Sequence, residues 1–170
     1  MQPLASKAYG ASQNGNATPA ERIAAYDEIR HIRNKAIRTA IAASVLLFLF
    51  TIATASFYPA LYGYQGEAAA AGYHAVMLTA AQLIFTGIVR VTNSFFYAVG
   101  KNRYSLFMIY FDPLCLTPAA LAVLPHFFGT DGIWLTAVIT QFLLNLVAAG
   151  MFVRHNAQMK REQAALTKGV

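Results

Sequence analysis

Apolar residues lie in four long blocks along the chain, and polar residues occupy the segments between them. The blocks span about 37–58, 68–99, 104–124 and 132–153. Each block can supply the roughly 20 apolar residues that an α-helix needs to cross a bilayer. The pattern predicts an all-α membrane protein with four transmembrane helices in residues 37–153. Because the connections are short, we expect neighbouring helices to be antiparallel.

Polar segments flank this transmembrane domain on both sides. Residues 1–17 are polar and small, and residues 154–170 form a basic tail. Between them and the first block, Thr18-Pro19-Ala20-Glu21 has the spacing of a capping box, with proline at the first helical position. We expect an amphipathic cytoplasmic helix over residues 18–36, leading into the first span. A solvated linker helix is the alternative interpretation.

Composition excludes an ordinary soluble domain. Hydrophobic residues make up 57% of the chain and charged residues only 12%, whereas about 25% charged is typical of soluble domains. No phosphate-binding loop, nucleophile elbow or metal-binding motif occurs, and the apolar blocks contain a single acid, Asp112. We therefore predict that the protein is not an enzyme, and that it binds no metal and no cofactor.

The distribution of basic residues predicts the orientation in the bilayer. Basic residues precede the first block, follow the fourth, and occur as Lys101 and Arg103 between the second and third. The other two connections, about 63–67 and 125–131, contain no lysine or arginine. The positive-inside rule then places both termini in the cytoplasm, with the helices in the plasma (inner) membrane. The net charge of +6 is accounted for by these loops, so nucleic-acid binding is not expected.

Polar residues inside the apolar blocks are candidates for a function, because each is costly in hydrocarbon. In the second block they recur every three or four residues, which places them on one face of a helix. The fourth block has a shorter polar stripe that includes Thr136 and Thr140. We select as candidate transport residues Gln82, Thr86, Arg90, Asn93, Asp112, Gln141 and Asn145.

Asp112 and Arg90 are the two charged members of this set. Counted from the Lys101–Arg103 loop, they lie about 13 and 15 Å into adjacent antiparallel helices, at 1.5 Å per residue. We expect them to pair if their faces meet. Asp112 is then either a carboxylate linked to proton or cation transport or half of a structural ion pair, and Arg90 could instead extend to the interface. Pro113 and Pro118 predict that the third helix is kinked or broken.

Four motifs resemble the multidrug and toxic compound extrusion (MATE) transporter family. The segment from Gln2 to Ala11 resembles the "QPxxSYNYGA" stretch at the end of the family's eighth helix, with Ala8 in place of asparagine. Phe95 to Lys101 is similar to the turn after the tenth helix. Pro118 and the run from Phe128 to Trp134 resemble the signatures that flank the end of the eleventh. Asp112 and Gln141 depart from the family pattern, where an arginine and an acid are common.

The resemblance implies export of organic cations or drugs against a proton or sodium gradient, through a cavity between two six-helix lobes. It covers nearly the whole chain but only the last third of a family member, so we expect an incomplete transporter whose partner is a missing N-terminal half or further copies of this chain. The alternative is a stand-alone four-helix membrane protein with an interaction or assembly role. A small four-helix multidrug transporter is disfavoured, because the first block contains no acid.

Overall fold

The computed structural model of the chain describes residues 1–168, and every regular element in that range is helical. Its elements, in chain order, are α1 (Gln2–Gln13), α2 (Pro19–Thr54), α3 (Phe57–Leu61), α4 (Gly66–Ala80), α5 (Gln82–Ala98), α6 (Asn102–Phe111), a π turn (Asp112–Leu116), α7 (Thr117–Phe128) and α8 (Thr130–Lys168).

Three helical stretches are long and apolar enough to cross a membrane: α2, the continuous stretch from α6 to α7, and α8. The pair α4 and α5 passes the same test as one span bent by 42°. Their outer surfaces carry large exposed apolar side chains, such as Leu46, Phe50, Leu114 and Leu146. In water such a surface would aggregate. The prediction of an all-α protein with several helices able to span a membrane is therefore confirmed, with three such helices, or four if the bent pair is one span.

Two predicted helix boundaries are wrong. The first span was expected to end at about Tyr58, but α2 ends at Thr54, and Tyr58 and Pro59 lie inside the short α3. Proline is tolerated there because the N–H groups of a first turn have no partner within the helix. The amphipathic segment 18–36 is not a separate element either, since α2 continues unbroken from its capping box at Thr18 and Glu21 into the apolar block.

The other spans also differ in detail from the prediction. The second is divided near Ala81 into α4 and α5. The third is not broken at Pro113, because the chain widens there into a π turn in which the Thr117 N–H donates to the Asp112 carbonyl. A π turn can absorb a proline while the helix continues. Cys115 is exposed on this turn.

The N-terminal and C-terminal segments are helical as well. The polar segment 1–17 contains α1, which packs on α2 and α5; the Ser6 hydroxyl donates to the Ala98 carbonyl at 3.1 Å. The segment that follows Val153 continues α8 as far as Lys168, and its Glu162 accepts a hydrogen bond from the Tyr26 hydroxyl at 2.6 Å. Gly169 and Val170 of the predicted basic tail lie outside the described residues.

A buried cluster holds these segments together at the end of the bundle where the basic residues gather. Its largest fully buried members are Tyr26 and Ile29 of α2, Phe95 and Phe96 of α5, and Met108 of α6. The Phe96 ring packs against Phe152 and Tyr104, with ring centroids 5.1 and 5.3 Å away. Aromatic side chains bury the largest apolar area of any residues, so this cluster fixes α5 between α2, α6 and α8.

Glycines shape two of the turns and one helix contact. Gly100 and Gly129 have φ of 68° and 58°, a backbone conformation that disfavours other residues. Gly129 alone separates α7 from α8. Gly132 lies within α8, and a Cβ there would stand 2.5 Å from the carbonyl carbon and oxygen of Leu124. This glycine therefore permits the backbones of α7 and α8 to approach closely.

We expect Gly132→Ala to lower the free energy of unfolding by about 1–3 kcal/mol, because the methyl group meets rigid backbone and α7 must shift. Titration of the micelle-bound protein with SDS, followed by circular dichroism, measures this loss. Gly150→Ala is the matched control on the same helix, where a Cβ meets nothing within 4 Å; it should leave the stability unchanged or raise it slightly. Equal losses for the two variants would contradict the close-approach explanation.

Candidate functional site

Most of the candidate polar residues converge on one cleft between α5, α8 and the junction of α6 with the π turn. The cleft has a volume of about 130 Å³. Its polar lining comprises Thr86, Arg90, Asn93, Asp112 and Gln141, and its apolar lining comprises Val89, Met108, Ile109 and Leu144. Spacing along α5 placed three of these residues on one stripe. The packing of α5 against α6 and α8 then brings Asp112 and Gln141 opposite that stripe.

Asp112 is held by neutral hydrogen-bond donors. Its Oδ2 accepts from the Gln141 side-chain amide at 2.8 Å, and its Oδ1 accepts from the Thr117 hydroxyl at 3.1 Å. The π turn makes the second bond possible, because it brings residue 117 back over residue 112. Sequence reasoning missed Thr117. The five-residue separation would have been a signal only if the π turn had been expected next to Pro113.

Arg90 lines the same cleft but does not pair with Asp112. Within residues 1–168 the ion pairs closer than 4.0 Å join Arg30 to Asp27 and His74 to Asp131. The predicted contact is therefore absent, although both groups do reach one cavity, as their equal depth suggested. Asp112 has both oxygens engaged elsewhere, and the Arg90 side chain is exposed.

Two other candidates act mainly as links between helices. The Asn145 side-chain amide donates to the Phe85 carbonyl at 3.0 Å and to the Gln141 carbonyl at 2.8 Å, which fastens α8 to α5. Asn93 accepts a hydrogen bond from the Ser105 hydroxyl, which fastens α5 to α6. Ser105, a buried residue of α6, was not among the residues selected from the sequence.

Thr86 and Gln82 complete the candidate set. The Thr86 hydroxyl donates to the Gln82 carbonyl at 2.9 Å, a bond within its own helix. Gln82 lies outside the cleft and lines a second cavity of about 350 Å³, together with Thr136, Thr140 and both Asp112 and Gln141. The Asp112–Gln141 hydrogen bond therefore stands between two cavities. It is the polar contact that both of them share.

No protein-family model, no curated protein and no solved structure matches this chain. The similarity to the MATE family therefore remains a prediction from the four motifs.

We expect Gln141→Leu to destabilise the protein by about 1.5–3 kcal/mol, because the half-buried Asp112 carboxylate loses one of its two hydrogen bonds within an apolar segment. SDS titration measures the change. Gln158→Leu is the control, since Gln158 is an exposed glutamine of the same helix and should tolerate leucine. If Gln141→Leu proves as stable as the wild type, then the amide does not support Asp112.

Proposed function

We propose that this chain is part of a MATE-like multidrug efflux antiporter that exports organic cations or drugs against a proton or sodium gradient. The observation that carries the proposal is the cleft in which Arg90 and Asp112, two ionisable groups within apolar segments, line one cavity without pairing. Ionisable residues inside a membrane are costly and mark ion or substrate pathways by default. The four motifs that resemble the family support the same class of function.

In this proposal Asp112 is the group that exchanges a proton or sodium ion. Gln141 and Thr117 orient the carboxylate with neutral donors, so its charge is not cancelled by an adjacent cation. Arg90 contributes positive potential to the cleft and opposes a substrate cation as long as Asp112 is neutral. An ionised Asp112 would attract the cation. Release of the proton or sodium ion from Asp112 and binding of the substrate cation are coupled in this way.

The chain alone does not enclose the pathway. Arg90 is exposed on the surface of the bundle, and lipid cannot cover a guanidinium group at that position without a large cost. We infer that further helices cover this face, either a separate N-terminal half or other copies of the chain. The proposed orientation has both termini in the cytoplasm and the helices in the plasma (inner) membrane, as the basic loops predict.

The alternative is a stand-alone membrane protein with an interaction or assembly role and no transport. One observation favours it: both Asp112 oxygens already accept hydrogen bonds, as in a purely structural polar contact. Under this alternative, neutralising Asp112 has no effect on any flux, because the chain transports nothing. Asparagine can also keep at least one of these bonds.

Efflux of a fluorescent organic cation from cells that naturally make this chain separates the two functions. We expect Asp112→Asn and Arg90→Gln to lower the efflux rate by about tenfold or more at unchanged protein abundance, because the coupling carboxylate or its field is lost. An ionophore that collapses the coupling gradient should stop wild-type efflux. Asp131→Asn is the matched control, since Asp131 pairs with His74 far from the cleft.

Full efflux by Asp112→Asn would overturn the transport proposal and leave the assembly role.

The same dye assay in efflux-deficient cells that express this chain by itself tests whether the chain can transport without further helices. We expect no efflux there, and efflux at the rate of the native cells would show that no additional chain is needed.

A further inference from the structure

A groove of about 540 Å³ lies between α1, α2 and α5, and it shares no lining residue with the Arg90–Asp112 cleft. Its floor consists of two neighbouring rows of α2 side chains, each with a spacing of four residues. One row is His31, Lys35, Thr39 and Ala43, and the other is Ile32, Ala36 and Ala40. Met1, which precedes α1, Leu4 of α1 and Val91 of α5 form the walls.

The groove exists because the side chains on its floor are small. Three alanines occupy the half nearest the apolar part of α2, where larger residues would fill the space. The hydroxyl of Thr39 donates to the Lys35 carbonyl of its own helix at 3.0 Å, so its methyl group remains for the groove. Leu4 is 59% exposed on the wall. A long apolar chain would therefore find an apolar channel with no free hydroxyl along this floor.

Charge is confined to one end of this channel. His31 and Lys35 occupy the end that belongs to the polar part of α2, and Ala43 lies about 18 Å beyond His31 and about 12 Å beyond Lys35, at 1.5 Å per residue. Lys35 has no carboxylate within 4.0 Å among the described residues 1–168. The end with His31 and Lys35 coincides with the transition from the charged to the apolar part of α2, which is where a bilayer places its headgroups.

We propose that this groove is a binding site for one anionic phospholipid. The phosphate group pairs with Lys35 and His31, and one acyl chain lies along Thr39, Ala40 and Ala43 between α1 and α5. The groove has one cationic end and one apolar end about 18 Å apart, at the depth of the headgroup boundary, and an anionic phospholipid has the complementary distribution of charge and hydrocarbon. Basic pockets between membrane helices hold acidic headgroups by the same attraction.

Bound lipid also fills the space beneath α1. Because α1 is attached through its Ser6 contact to α5 and through the Arg22 side chain, which donates to the Ser12 carbonyl at 2.9 Å, it can stay in place while a chain occupies the groove. The site is independent of transport, since none of its residues lines the Arg90–Asp112 cleft.

The test is lipid retention by the full-length protein. The protein is reconstituted in vesicles of equal parts phosphatidylglycerol and phosphatidylcholine, extracted in mild detergent, and analysed by native mass spectrometry. We expect one phosphatidylglycerol per chain in preference to phosphatidylcholine. Lys35→Gln should lower that preference by about fivefold, the effect of one basic residue near an anionic headgroup. Arg38→Gln, which removes a charge from the same helix outside the groove, should leave the preference unchanged.

A second pair of variants tests the apolar part of the site. Ala40→Phe fills the channel and should abolish lipid retention. Ala42→Phe, on a face of α2 that does not line the groove, should not. If Ala40→Phe fails to fold by circular dichroism, Ala43→Phe at the exposed end of the channel replaces it. Excess inorganic phosphate should not release the lipid, because the acyl chain remains bound.

Several results would overturn the proposal. Equal retention of the two lipids, an equal effect of Lys35→Gln and Arg38→Gln, or unchanged retention in the groove-filling variant would each exclude this site. Release by inorganic phosphate would reduce it to an anion site. A lipid-free dimer whose formation is blocked by Ala40→Phe would assign the groove to a second copy of the chain.

Discussion

Hydrocarbon supplies no hydrogen bonds, and this property of the bilayer determines where the polar side chains of the bundle can lie. The apolar residues of α2, α7 and α8 face outward, as Leu46, Val123 and Leu146 do. Apolar side chains are therefore not concentrated in the interior, as they are in soluble proteins. Several polar side chains form hydrogen bonds between helices instead. Asn145 reaches the backbone of α5, and Gln141 reaches Asp112. Helix association in membranes depends on such contacts and on close packing, because apolar burial alone contributes little there.

Two kinds of contact therefore divide the bundle. At the basic end, aromatic packing around Phe95 and Phe96 fixes α5 against α2, α6 and α8. Farther into the apolar segments, the helices are held together by polar contacts and by the close packing of α8 on α7 at Gly132. Along α5 the cleft lies between the aromatic cluster and the 42° bend that separates α5 from α4. The helices are thus held firmly at one end and enclose polar cavities further along.

Sequence periodicity was sufficient to find most of the cleft. The three- and four-residue spacing on α5 identified Thr86, Arg90 and Asn93, and the cost of an acid in hydrocarbon identified Asp112, all of which line one cavity. Periodicity could not decide which groups form hydrogen bonds with these side chains. An ion pair between Arg90 and Asp112 was the simplest expectation from charge and depth, yet the π turn presents Thr117 to Asp112 and α8 presents Gln141. Those partners depend on local backbone geometry, which residue spacing does not encode.

Hydropathy by itself determined the class of protein and the number of apolar blocks, because the need for about 20 apolar residues per span leaves a signal in the chain. The residue pattern also determined the capping box that begins α2, since that motif is local. Only the tertiary structure decided that the polar segment 1–17 contains a helix, that the second span bends and the third does not break, and where two polar cavities and one apolar groove lie. Each of these depends on which helices become neighbours, and that is set by contacts between residues far apart in sequence.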